Sequence, residues 1–215
     1  MADDCLPQIH VCALRVADLD SNGVPTPGAG HLYTTGALAN ATLKPVYRDG
    51  TEIEEPNACD ELVVSYQPPP SYKWDEIELE FLKREPVLEA MLSRGTVLDL
   101  GGSAPKGYAG PAVGVIGGYG ISIELWAKRI NGPDLDPDFP YAWWALPKVR
   151  NLKRGDDEKG NSTSKPKFSG IAVENPNWFD GPLNDWPKSS DRSVQWVPTT
   201  SLPAIVCGAQ ATPVS

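Results

Sequence analysis

No stretch of the 215 residues comes near 18 consecutive apolar positions, so nothing in the sequence reads as a membrane-spanning helix. Bases are outnumbered: 19 Lys and Arg stand against 28 Asp and Glu, a formal charge of -9. A chain this acidic is not expected to grip nucleic-acid phosphates, which takes clustered Lys and Arg. Histidine is nearly missing. His10 and His31 are the only two, and no G-x-S-x-G accompanies them, so serine-hydrolase machinery has little to be built from. The four cysteines, Cys5, Cys12, Cys59 and Cys207, lack the rhythm of a disulfide framework, which fits synthesis in a reducing cytoplasm with the thiols buried. MADDCLPQIHVC at the start has neither a basic n-region nor an apolar h-region, so no signal peptide is expected.

What is abundant is glycine and proline, 20 and 22 residues. That density of breakers excludes an all-helical bundle, while 40% hydrophobic residues suffice for a globular core. WDEIELEF, Trp74 to Phe81, alternates Asp75, Ile77, Leu79 and Phe81 with Glu76, Glu78 and Glu80. Period 2 predicts a strand with one buried and one acidic face, its like charges moderated by water or by a partner's bases. Further strands are expected at Ile9–Val16, Ala41–Tyr47, Glu61–Tyr66, Thr96–Leu100, Gly120–Ile130, Tyr141–Leu152, Gly170–Glu174 and Arg192–Val197. One short helix is predicted in EPVLEAMLSRG, with Pro86 first, an apolar stripe of Val87, Leu88, Met91 and Leu92, and Gly95 as left-handed cap. Gly101–Gly120 reads as a loop or bulged hairpin, Asn151–Lys167 as a projecting basic loop, and the chain beyond Val197 as an extended tail.

Candidate chemistry is thin. DLDSNG, Asp18 to Gly23, matches half a calcium loop, but Ala29 stands where the bidentate Glu belongs, so a polar hairpin turn is expected. GAGHLYTTG fails the dinucleotide register at Tyr33. Cys5, His10 and Cys12 lack metal-ligand spacing and a fourth ligand. No cofactor, metal or catalytic residue is expected. In YAWW, neighbouring Trp143 and Trp144 must face opposite sides of a strand, one toward a core and one toward an interface.

Two longer stretches are more specific: YTTGALANATLKPVYRDGTEIEEPNACDELVVSYQ from Tyr33 to Gln67, and IELWAKRI, YAWWALPKVRNL and WFDGPLNDWPKSSDRSVQWV in order from Ile123 to Val197. Together they resemble the major tail (tail tube) proteins of long flexible-tailed bacteriophages, especially those of actinobacteria. The resemblance implies a mainly β fold: a β-sandwich or rolled sheet with one short flanking α-helix. It also implies a tube domain over residues 1–197, with an N-terminal arm and long loops, followed by a tail over 198–215. It implies a homo-oligomer of six-membered rings stacked into a tube in the virion tail, assembled in the host cytoplasm with tape-measure and terminator proteins, through which DNA passes without specific binding.

On that footing, Glu76, Glu78 and Glu80 are expected to line an acidic lumen that repels phosphates. Charge complementarity sets Glu52, Glu54 and Glu55, within the acid-only run Asp49–Glu61, against Lys153, Arg154, Asp156, Asp157 and Lys159 as contacts between rings. The competing readings are another virion component (tail terminator, head–tail joining or decoration protein) and a carbohydrate-binding β-sandwich using Trp143, Trp178 and Trp186. An enzyme built on Asp18 or His10 comes third.

Overall fold

The computed structural model describes residues 8–26, 28, 30–56, 62–99, 101, 106–114, 119–156, 165–178, 192–203 and 208–209. The fold is mainly β. Six strands carry most of it: β1 (Gln8–Asp18), β3 (Leu38–Arg48), β6 (Ser71–Phe81), β9 (Ile121–Asn131), β11 (Tyr141–Arg154) and β12 (Lys167–Val173). Shorter strands are β2 (Leu32–Thr35), β4 (Ile53–Pro56), β5 (Leu62–Tyr66), β7 (Thr96–Leu98), β8 (Gly107–Ala109), β10 (Asp134–Leu135), β13 (Gln195–Thr199) and β14 (Gly208–Ala209), and the helix α1 is Pro86–Ser93.

One antiparallel sheet runs in the order β14-β2-β1-β9-β11-β12-β6-β3, with β10 added to β9 and β13 to β11. Its path starts beside β2 and ends on β3, yet those two are consecutive in the chain, joined only through Gly36 and Ala37. The sheet therefore curls back on itself. At the seam the Leu82 amide donates to the Ala37 carbonyl at 2.8 Å. Inside the curl lie Leu14 and Val16, Ile77, Leu79 and Phe81, Ile121, Ile123 and Leu125, Leu146 and Val149, and Phe168. Leu88, Met91 and Leu92 of α1 join the same core. Each such side chain contributes about 1.5–3 kcal/mol on burial, which holds a helix too short to persist alone.

The middle of the sheet is covered on both faces. Leu14 and Val16 enter the inner core, while Ala13 packs with Trp126, Trp143, Ala145, Trp178 and Leu19 on the outer side. Arg15 and Glu124 face each other across β1 and β9 on that side, both buried.

The helix differs from expectation at its end. Arg94, not Gly95, takes the left-handed conformation (φ 59, ψ 30). Its guanidinium donates to Asp18 Oδ1 and the Gly120 carbonyl, both at 2.9 Å, and these bonds hold the conformation a glycine would otherwise supply. Gly95 is needed for space, because a Cβ there would run into the Ala109 carbonyl and the Tyr108 ring. Glu85 and Glu89, at the positive end of the helix, are buried and paired with Lys83 (3.0 Å) and Arg84 (3.1 Å).

Of the expected basic loop, residues 151–154 are the end of β11 and 165–166 lead into β12. The strand continues because a bulge at Asn151 (φ 55) absorbs one register shift between Arg150 and Lys153. Opposite it, Gly170 leaves room for Val149 and Leu152, whose carbons would lie 2.8 and 3.0 Å from a Cβ. Past the expected end of regular structure, Gly208 and Ala209 return to pair with Thr34 and Tyr33.

Candidate assembly surfaces

The alternation read in β6 holds. Ile77, Leu79 and Phe81 are buried, Glu76 and Glu78 are exposed, and Glu80 is half-buried. What a single strand does not show is its neighbours. Across the ladders Glu76 faces Lys44 and Ile171, Glu78 faces Thr42 and Ser169, and Glu80 faces Asn40 and Lys167. Lys165 Nζ lies 3.4 Å from Glu80 Oε1. One strand further, Lys148, Arg150 and Lys153 of β11 stand opposite Val173, Ile171 and Ser169. The three carboxylates thus share their face with Lys44, Lys167, Lys148, Arg150 and Lys153. The face is banded, acidic along β6 and basic along β11, rather than acidic throughout. The sequence carries a signal for the missed basic row: Lys148 and Arg150 fall at i, i+2 on a strand, and the bulge returns Lys153 to their side.

The banded face is grooved. A cavity of about 810 Å³ is lined by Glu76, Glu78, Lys148, Arg150, Lys153, Ser169, Ile171 and Tyr119, among others. Lys148, Arg150 and Lys153 make no ion pair within the chain among the described residues.

Between β3 and β6 the chain leaves the sheet as a two-stranded arm. In it β4 pairs with β5, Ile53 opposite Tyr66 and Glu54 opposite Ser65. Ile53 is 48% and Tyr66 56% exposed, and Glu52 and Glu54 are exposed with them. The arm adds two large apolar side chains to the surface and buries neither.

Of the other expected contact residues, Arg154 lies on the inner side of β11. It is 3.5 Å from Glu89 Oε2 and stacks over Tyr108 at 5.1 Å, so its charge is already engaged within the subunit. Asp156 is exposed. Asp157 and Lys159 fall outside the described residues, and only the backbone of Glu55 is described.

A free sheet margin borders the arm. Among the described residues β3 has a ladder only on its β6 side, apart from its approach to β1 at the seam. Pro45, which has no N–H, costs a ladder bond unless its nitrogen points away from β6. Parity along the strand then turns the Ala41 and Leu43 amides outward too, while Asn40, Thr42 and Lys44 bond to β6. Lys44, Pro45 and the shift between Val46 and Tyr47 blunt the distal part of the edge. Among the described residues, the stretch that this parity leaves open to a further strand is Ala41–Leu43.

The remaining candidates resolve into structure. Asp20 Oδ1 accepts from the Asn22 and Val24 amides at 2.8 and 2.9 Å, the expected polar turn. Asp18 faces Arg94 at 2.9 Å and His31 at 3.2 Å. His10 sits exposed (φ 50) where the β1 register shifts. Asp75 Oδ2 takes hydroxyl bonds from Tyr72 and from Ser193 (2.8 Å), with neither histidine in the cluster. That arrangement fastens the segment before β13 to β6. Burial of Tyr72 and its bond to Asp75 push its phenol up to about 12. Trp143 is buried and stacked on Trp126 at 5.7 Å, while Trp144 is half-buried and stacks on the exposed Trp196 at 5.9 Å. Trp178 is fully buried. Two of the three tryptophans a sugar platform would need are thus withdrawn from the surface, and Trp186 lies outside the described residues.

No protein-family model matches this sequence, and no curated protein matches it. Among solved structures it is similar to a chain of an extracellular contractile injection system, the PVC sheath-tube complex in its extended state. Identity is 12% and the TM-score 0.33, with 92% of this chain and 95% of that chain covered. A likeness of that size establishes neither a common fold family nor a common activity. No helix among the described residues is long and apolar enough to cross a membrane.

Proposed function

We propose that this chain is a structural subunit of a phage-type tail tube, whose copies join into six-membered rings and stack into a hollow conduit for DNA. The observation that carries the reading is the sheet's margin: among the described residues β3 has a ladder only with β6, and beside it stands an arm that leaves Ile53 and Tyr66 exposed. A lone two-stranded ribbon is marginal in water, and an open strand edge templates a further strand. Both features are met together when another copy supplies the missing surface. Contacts between unlike surfaces of identical subunits close into rings or continue as filaments, which is the geometry a tube requires. The resemblance carried by Tyr33–Gln67 and Ile123–Val197 supports the same reading. In this role the protein works by shape and association, as part of a virion tail alongside tape-measure and terminator proteins.

Electron microscopy of the purified protein over rising concentration tests it. Rings or hollow rods are expected. A monodisperse monomer at every concentration contradicts it.

A further inference from the structure

We propose that the basic row Lys148, Arg150 and Lys153, with the groove it borders, is the receptor for the acidic β4–β5 arm of a second copy. The inference rests on the tail-tube reading and names the surfaces that meet within it. The charge argument has two halves on one chain. The arm's β4 lies within Asp49–Glu61, which has six acids and no base, and Glu52 and Glu54 are exposed. The row holds three cations with no ion-pair partner in their own chain among the described residues. Three like charges side by side on one face repel one another, and arriving carboxylates relieve them.

The shape of the arm agrees. The arm has unlike faces, Ile53 with Tyr66 on one and Glu54 with Ser65 on the other. The groove, of about 810 Å³, offers apolar Ile171 and the exposed Tyr119 as well as the basic row. Seated with its acidic face on the row, the ribbon brings Glu54, and Glu52 two residues before it, to the cations. Glu76 and Glu78, on the far side of the groove, repel the arm and direct it toward β11. This places the arm's contact on a sheet face rather than on the loop following Arg154, whose guanidinium is committed to Glu89.

The test is a charge exchange on the full chain. K148E/R150E/K153E and E52K/E54K are each expected to cut polymer yield at least tenfold by pelleting and electron microscopy, and the chain carrying both sets to regain it. In parallel, wild-type polymer made from equal parts of isotopically light and heavy protein is treated with a zero-length carboxyl–amine cross-linker. Mixed-isotope links from Glu52 or Glu54 to Lys148 or Lys153 are expected, and this readout stands even if a variant fails to fold. Wild-type rods whose cross-links join other residues overturn the inference and leave the tube reading intact, as do folded variants that polymerise normally. Wild-type protein that never polymerises overturns the tube reading, and this one with it.

Discussion

Arg15 and Glu124 show what one buried pair asks of its surroundings. Arg15 Nε and Nη2 both donate to the carboxylate, the second at 2.8 Å, and the guanidinium lies 5.3 Å from the Trp126 ring centre. Glu124 is 1% exposed, so removing its partner strands a charge with no water to take it. Arg15→Leu should lower unfolding stability by about 3–5 kcal/mol in urea titrations, while R15L/E124L should recover most of that loss. Tyr72 supplies a pH signature. Its folded value of about 12 exceeds the ordinary 10.0, so its contribution is fully present below pH 10 and disappears as pH climbs toward 12. Wild type should therefore lose its advantage over Tyr72→Phe across that interval, and ultraviolet titration should show one tyrosine ionising late. A wild-type advantage unchanged from pH 10 to 12 would refute this.

At the scale of elements, the strands with strong alternation or β-branched runs were readable, and β6 was readable residue by residue. The five strands that escaped, β2, β4, β8, β10 and β14, span two to four residues each, too short to show a period. The left-handed helix cap at Arg94 escaped because two hydrogen bonds from its side chain, to residues far away in sequence, hold it. The same limit applies to the surface. Glu76, Glu78 and Glu80 were legible as one face, but the lysines that turn an acidic face into a banded one arrive from β3, β11 and β12 by register alone. The β3 edge allows a specific substitution. Ala41→Pro removes an outward N–H without touching the β6 ladder, so it should leave a folded, cooperatively melting monomer that does not polymerise. Normal rods from this variant would show that Ala41 pairs with nothing.

Over the whole molecule, a net charge of -9 conceals regions of opposite sign, the acidic run about β4 and the basic row of β11. In the proposed tube a chain so arranged would satisfy its charges with copies of itself, and its β3 edge would add a directional bond to that attraction. The measurement closest to this claim is residue-resolved amide hydrogen exchange at Ala41 and Leu43, below and above the concentration at which polymer forms. Both amides should exchange freely in the monomer and become strongly protected in the polymer, while those of Thr42 and Lys44, already bonded to β6, change far less. Equal exchange at Ala41 and Leu43 in the two states would mean that no neighbouring strand completes the sheet.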